Sequence, residues 1–256
     1  MPRTSIKWHV GCSGFHYAEW KGSFYPEDLP KSKWFNFYGS AFDTLELNSS
    51  FYRFPTVSSL HRWYKLSPRN FSFSVKAPRS ITHFRQFKEC AKPLGDFYRL
   101  VGEGLQEKLA TVLFQLPPVF EYSMERLERI LVSLNSTFVN VVEFRHSSWW
   151  QPVVFAALAK KKVVFAGQSH PSLPDEPVVN GEVGYYRFHG VPRLYYSSYS
   201  EDKLADIADR MRSQRKLKEA YVYFNNTAEI SAINNARWFR SHVDGNRTKR
   251  SSRSKT

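Results

Sequence analysis

The chain has 256 residues, of which 42% are hydrophobic and 16% aromatic, and it carries a formal net charge of +14. This content of large apolar side chains excludes a chain that is disordered throughout, because disordered sequences cannot bury enough apolar surface. The positive charge favours anionic partners such as nucleic acid or phosphorylated metabolites, and it is equally compatible with a basic protein that has no polyanion partner.

Eight short segments rich in β-branched and aromatic residues are predicted to be strands. In chain order these strands cover residues 8–15, 44–51, 71–77, 110–116, 140–146, 162–168, 183–189 and 220–225. Segments with helical periodicity alternate with them, at residues 34–42, 57–64, 90–105, 124–134, 151–160, 201–211 and 228–240. Ser123 and Ser200 precede two of these segments and are expected to cap their helices.

The alternation of strands with helices implies a parallel sheet, and eight such units favour closure into a single TIM-type (β/α)8 barrel. The unit between strands 6 and 7 is irregular, because residues 170–182 contain Pro171, Pro174, Pro177 and Gly181. An open doubly wound sheet is the structural alternative. The barrel is assigned to residues 1–243, and the Ser-rich, basic residues 244–256 are predicted to form a disordered tail.

Polar residues cluster late in the predicted strands, where a β/α barrel has its active site. Strand side chains alternate in direction, so residues two apart, such as Glu143 and Arg145, share a face. The pocket predicted from this pattern contains Glu46, Asn48, Lys76, Gln115, Glu143, Arg145, Arg187, His189 and Asn225, with Tyr52 just beyond the second strand. Charged groups in strands this apolar would be costly to bury unpaired, and gathering them at one barrel mouth removes that cost.

The residue types in this pocket predict roles for its members. The candidate catalytic residues are Glu46, Glu143 and His189, since carboxylates and imidazoles transfer protons. The candidate substrate-binding residues are Asn48, Tyr52, Lys76, Gln115, Arg145, Arg187 and Asn225. The lysine and the two arginines among them are suited to bind a phosphate or carboxylate. The leading hypothesis is an enzyme, hydrolase- or lyase-like, that acts on a small anionic or phosphorylated substrate without a cofactor.

Other chemistries are open to the same residues. Glu143 with Arg145, or Glu46 with Lys76, could instead be structural ion pairs that fill the barrel. Glu46 and Glu143 also suit a glycosidase, although three strand steps separate them, which favours a long distance between the carboxyls. Lys76 could form a Schiff base, but a nearby Glu46 would hold it charged. A metal site is disfavoured, because Lys76, Arg145 and Arg187 would repel a divalent cation.

Two alternatives to a small-molecule enzyme remain. One is a nucleic-acid-binding or nuclease-like barrel that uses the basic surface and tail, and the other is a non-catalytic structural or partner-binding barrel. The two cysteines, Cys12 and Cys90, argue against a disulfide framework or a cysteine-based zinc site. No signal peptide and no apolar run of ~18 residues is apparent, so we expect a cytoplasmic protein without a membrane segment.

Seven ordered motifs carry a resemblance to a known family. They are GCSGF at 11–15, ELNSSFYR at 46–53, FSVKAP at 73–78, LFQLPP at 113–118, VEFRH at 142–146, RFHG at 187–190 and YFNN at 223–226. With these motifs the chain resembles the YecE-like proteins, domain of unknown function 72. The resemblance implies a TIM-type barrel with the motifs at the pocket, and it implies no established reaction. Similar proteins often have an aspartate near the end of the sixth strand, whereas residues 167–171 of this chain read GQSHP and contain no acid.

Overall fold

The computed structural model describes the backbone of residues 5–253 and the side chains of residues 5–245. Its eight strands are β1 (Lys7–Ser13), β2 (Thr44–Leu47), β3 (Ser72–Lys76), β4 (Leu109–Gln115), β5 (Asn140–Glu143), β6 (Val164–Ser169), β7 (Val183–Phe188) and β8 (Glu219–Phe224). Each strand pairs in parallel with the next, and β8 pairs with β1, so the sheet closes into a barrel. The predicted (β/α)8 barrel is therefore confirmed over the open sheet.

Helices surround this barrel. They are α1 (Trp34–Ala41), α2 (Ser49–Tyr52), α3 (Val57–Leu66), α4 (Ala91–Leu105), α5 (Met124–Ser133), α6 (Pro152–Lys160), α7 (Glu201–Ser213) and α8 (Ser231–Arg253). The predicted caps are present, since the Ser123 hydroxyl accepts from the Arg126 amide at 3.2 Å and the Ser200 hydroxyl accepts from the Lys203 amide at 3.3 Å. Within residues 5–253, no helix is both long and apolar enough to cross a membrane.

Two departures from the predicted elements affect the site. The second strand ends at Leu47 instead of continuing to residue 51, because the chain turns directly into α2. The Ser50 hydroxyl donates to the Lys76 carbonyl at 2.6 Å and thereby ties this turn to the end of β3. The fifth strand likewise ends at Glu143 rather than at residue 146. No helix joins β6 to β7, as predicted from the prolines, and an antiparallel bridge pairs Gln168 with Glu176.

The barrel interior changes from apolar to charged toward the carboxyl ends of the strands. Its packed side chains are Leu113, Val141, Val164, Ala166, Tyr185, Tyr221 and Tyr223. Two of the tyrosine hydroxyls meet strand hydroxyls, Tyr185 with Ser74 at 2.8 Å and Tyr223 with Thr44 at 2.6 Å. These hydrogen bonds satisfy the buried phenols and make a polar floor for the groups above them.

The predicted basic tail, residues 244–256, is the part of the sequence that this structure describes least. Side chains from residue 246 onward and the last three residues lie outside the described part of the chain. The described backbone of residues 244–253 belongs to α8, and the assignment of a disordered tail stays a prediction.

Candidate active site

The carboxyl ends of the strands bring most of the predicted pocket residues together. One continuous set of contacts runs through Glu46, Arg187, Glu143, Arg145, His189 and Asn225. Lys76 and Gln115 form an adjacent pair across β3 and β4. Asn48 lies at the end of β2, where its side-chain oxygen is buried without a hydrogen-bond partner. Tyr52 does not join them, because it lies in α2 with 71% of its surface exposed.

Arg187 is the centre of this set, which we call the ion cluster: Glu46, Glu143, Arg145 and Arg187. The guanidinium, only 1% exposed, donates from Nη1 to Glu143 and from Nη2 to Glu46, each at 2.5 Å. Both carboxylates are fully buried, and Arg145 donates from Nε to Glu143. Because one guanidinium fills the space between the two carboxylates, neither a sugar nor an attacking water has room there. The arrangement is therefore unlike the carboxyl pair of a glycosidase.

Contacts within the cluster shift the pKa values of Glu143 and Arg187. Burial by itself would raise the pKa of Glu143, but Arg145 and Arg187 hold this pKa well below its usual range. Burial also opposes the charge on Arg187, yet Glu143 and Glu46 raise its pKa above the ordinary value. Glu46 receives a further hydrogen bond from the Tyr185 hydroxyl at 2.6 Å. Two carboxylates thus face two guanidinium groups, and each carboxylate is in contact with at least one of them.

His189 follows Arg187 by two residues and lies at the top of the cluster, fully buried. Burial, together with Arg145 and Arg187, lowers its pKa well below the usual value, so the ring is neutral. Arg145 Nη2 lies 3.1 Å from His189 Nε2, whereas Glu143 is 3.5 Å from the same nitrogen. Since arginine can only donate, the shorter contact requires Nε2 to accept and places the proton on Nδ1. The Asn225 side-chain nitrogen lies 2.9 Å from Nδ1, so a proton on Nδ1 requires the Asn225 amide to be turned by 180°, which brings its oxygen to that proton.

Lys76 differs from the other cations of the pocket. Its Nζ donates to the Gln115 side-chain oxygen at 2.5 Å and lies 4.0 Å from the centre of the Phe51 ring. Among the described residues no carboxylate lies within 4.0 Å of this nitrogen. The predicted ion pair between Glu46 and Lys76 is therefore wrong, because Glu46 is taken up by Arg187 and Tyr185. Burial and the charge of Arg187 lower the pKa of Lys76 to about 7.

Several residues at the barrel mouth are not among those predicted from the sequence. Ser13 at the end of β1 accepts a long hydrogen bond of 3.4 Å from Arg187, and Tyr185 binds Glu46. Tyr185 shares the parity of Arg187, which is the signal that could have identified it. Gln168, in the segment near the end of β6 that contains no acid, is fully buried and donates to the Phe144 carbonyl at 2.9 Å. Its side-chain oxygen has no partner, and neither has Arg187 Nε.

Two surface cavities lie along α3 rather than at the barrel mouth. The larger, about 340 Å³, is lined by Ser58, His61, Arg62, Lys65 and Leu66. The other, about 300 Å³, extends from Leu47 on the outer face of β2 to Trp63. Neither contains a predicted catalytic side chain, so the candidate site rests on the chemistry of the mouth. Among the described side chains, no three His, Cys, Asp or Glu residues are grouped to hold a metal ion.

Comparison with known proteins places the chain in a family. The family model DUF72, described as a protein of unknown function, matches residues 9–256. The UPF0759 protein YunF of Bacillus subtilis is 27% identical, in an alignment that covers 90% of this chain and 92% of that protein. The crystal structure of a DUF72 family protein from Thermotoga maritima is similar with a TM-score of 0.84 and 29% identity, covering 93% of this chain and 99% of that one.

A second crystal structure, of a DUF72 family protein from Enterococcus faecalis, has a TM-score of 0.76 at 20% identity and covers 93% of this chain and 98% of that one. At this identity the similarity concerns the fold alone. The resemblance that the seven motifs carry is confirmed by the family match, and so is the barrel that it implied. The chain belongs to the DUF72 family.

Proposed function

We propose that this protein is an enzyme that acts at the barrel mouth on a small substrate with a carboxylate or phosphate group. The observation that carries the proposal is the distribution of charge. The two carboxylates are neutralised inside the ion cluster, while Lys76 has no carboxylate partner. Arg145, whose side chain is 7% exposed, uses Nε and Nη2 within the protein, and its Nη1 contacts no acceptor among the described residues. An anionic group between Lys76 and Arg145 would meet two donors.

The same charges favour lyase-like over hydrolase-like chemistry. Glu143 is held ionised and receives three cationic or polar neighbours, so it is a poor proton donor. His189 is neutral and both its nitrogens are engaged. We assign Glu46 and Glu143 the role of positioning Arg187 and Arg145, rather than transferring protons. Lys76, whose pKa of about 7 lies near neutral pH, is then the group best suited to acid–base work.

The proposal is tested by ligand binding to the full chain. Thermal shift and calorimetry would compare inorganic phosphate, pyruvate and 2-phosphoglycolate with the uncharged compounds acetone and glycerol. We expect the anions to bind and the uncharged compounds not to. Arg145→Lys keeps a cation beside Glu143 but loses the planar fork, and it should weaken anion binding by about tenfold, which is about 1.4 kcal/mol.

Arg99→Lys is the matched control, since Arg99 lies on α4 with 57% of its side chain exposed and pairs with Glu103. It should leave anion binding unchanged. Anion binding that is equally strong in Arg145→Lys would overturn the assigned pocket. A lack of binding by every anion would favour the structural role of the barrel.

The alternative partner is nucleic acid, favoured by residues Arg247, Lys249, Arg250, Arg253 and Lys255 and the absence of acids from 245–256. Binding through these residues would fall steeply with salt concentration, because released counterions drive it. Replacing all five with glutamine in the full chain should abolish such binding and leave anion binding at the mouth intact. Oligonucleotide binding that survives this change would have to use another surface.

A further inference from the structure

Two lysines are buried among the described residues, and their surroundings differ. The Lys108 ammonium donates to the Tyr64 carbonyl at 2.8 Å, the Ser67 carbonyl at 3.0 Å and the Ser67 hydroxyl at 2.8 Å. All three of its protons are therefore satisfied, as a structural lysine requires. Lys76 has one acceptor, the amide oxygen of Gln115 at 2.5 Å, and its Nζ lies on the ring of Phe51. Lys108 thus has an acceptor for each proton of an ammonium, whereas at Lys76 one acceptor and the face of the Phe51 ring support an ammonium less completely.

The charges around Lys76 also oppose its protonation. Arg187 and Arg145 repel an ammonium at this place, and the opposing effects of Glu143 and Glu46 do not outweigh burial. With a pKa of about 7 rather than 10.5, about half of the Lys76 side chains are neutral at pH 7, against roughly one in a few thousand for an ordinary lysine. Gln115 accepts a hydrogen bond from the nitrogen and orients it, but a neutral acceptor favours the ammonium less than a carboxylate does. A neutral, desolvated amine is the arrangement of a nucleophilic lysine.

We propose that Lys76 forms an imine with the carbonyl carbon of the substrate, which is therefore a small aldehyde or ketone that carries a carboxylate or phosphate. This inference rests on the proposed function and narrows its substrate class. It requires a side chain that reaches the mouth, and Lys76 is the last residue of β3 with 9% of its surface exposed. The anionic group of the substrate would face Arg145, while its carbonyl faces Lys76.

The covalent step balances without an added oxidant or reductant. The lone pair of the neutral Nζ attacks the carbonyl carbon, and the π electrons of the C=O bond move to the oxygen, which takes up a proton. The nitrogen releases a proton, and the resulting carbinolamine then loses its hydroxyl as water while the C=N bond forms. The net change is amine plus carbonyl to imine plus water, with protons exchanged with solvent. A protonated imine withdraws electrons from the adjacent carbon, so bond cleavage there becomes easier, as lyase-like chemistry requires.

The test is reductive trapping on the full chain. The probes are pyruvate, glyoxylate and dihydroxyacetone phosphate, each with cyanoborohydride, and the matched analogues without a carbonyl are lactate, glycolate and glycerol 3-phosphate. Intact-mass measurement and peptide mapping locate the reduced adduct. We expect a single adduct on Lys76, formed at least about tenfold faster than on Lys108 or on the exposed Lys92. Inorganic phosphate should slow this labelling in the wild-type protein. This part of the test does not depend on the folding of any variant.

Variants separate the inference from the proposed function. Lys76→Arg keeps a cation and Lys76→Met removes it, and both should abolish the adduct, whereas Lys92→Met should keep it. If the carbonyl compounds and their analogues bind but Lys76 acquires no adduct, the imine is wrong and the proposed function stands. If no probe binds and Lys76 is labelled no faster than Lys92, both are wrong. Labelling that is spread over many lysines and insensitive to phosphate would also overturn the inference.

Discussion

Replacing Arg187 with methionine tests whether the ion cluster stabilises the barrel. The substitution keeps most of the apolar volume and removes the cation that binds Glu46 and Glu143 at 2.5 Å each. Glu143 would keep Arg145 as a partner, but Glu46 would keep only the Tyr185 hydroxyl. Leaving one charge of a buried pair without its partner costs about 3–5 kcal/mol. We expect Arg187→Met to lower the free energy of unfolding by this amount, a large part of the 5–15 kcal/mol typical of whole proteins.

The measurement is urea unfolding at pH 7, followed by far-ultraviolet circular dichroism and tryptophan fluorescence. Glu46→Gln removes the charge that Arg187→Met would strand, so the double variant should lose less stability than the sum of the two single losses. Coupling within such a network is typically about 0.5–3 kcal/mol, and we expect the upper part of this range. Arg99→Met is the control for loss of an exposed ion pair and should change stability by less than about 1 kcal/mol.

Two results would refute this reasoning. A loss below about 1 kcal/mol in Arg187→Met would mean that water reaches the carboxylates and replaces the guanidinium. Additive losses in the double variant would mean that Glu46 and Arg187 do not interact energetically despite their contact. Either result would also remove the argument that the carboxylates are neutralised within the cluster, on which the proposed function depends.

Three further predictions concern single side chains. The pKa of Glu143 lies well below its ordinary 4.5, so its carboxylate contributes stability above pH 4.5 that is lost as the pH falls below 4.5. In an acid titration the free energy of unfolding of Glu143→Gln should therefore fall less steeply than that of the wild type. The pKa of Lys76 is about 7 instead of 10.5, so between these pH values the unfolded chain binds a proton that the folded protein does not. The free energy of unfolding of the wild type should therefore rise with pH in this range, by up to about 1.4 kcal/mol per pH unit. Urea titrations of Lys76→Met should lack this rise. A Cβ at Gly11 would lie 2.3 Å from the Thr44 carbonyl oxygen, so Gly11→Ala should lower the free energy of unfolding by about 1–3 kcal/mol. Gly95 in α4 has open space around it, so Gly95→Ala should raise the free energy of unfolding by about 0.5–1 kcal/mol. Calorimetry of both variants checks these two values.

The strand periodicity predicted the direction of the site residues well. A period of two needs no knowledge of the fold, so the inward side of Glu143, Arg145, Arg187 and His189 could be identified from the sequence alone. Where the period stops, the prediction fails. Tyr52 was placed in the pocket by extending the second strand, but after Leu47 the chain is helical and Tyr52 points to solvent.

Partner choice inside the barrel could not be predicted from the sequence. Parity says which side of the sheet a residue faces, but the tilt and stagger of barrel strands decide its height along the axis. Glu46 and Lys76 lie on neighbouring strands, yet Glu46 binds Arg187, which belongs to β7 on the far side of β1 and β8. A long arginine side chain can cross the interior to reach both carboxylates, and the alternation of side chains along the strands does not predict this contact.

Gln168 affects the charge balance around Lys76. It pairs in register with Arg187, so an acid there would lie beside the ion cluster and add a third negative charge to it. With a neutral amide, two carboxylates and two guanidinium groups balance one another, and the effect of Glu143 and Glu46 on Lys76 does not outweigh burial and the charge of Arg187. The role of Gln168 is thus best understood through charge balance. Its neutrality leaves Lys76 as the one cation of the described pocket that can lose its proton near neutral pH.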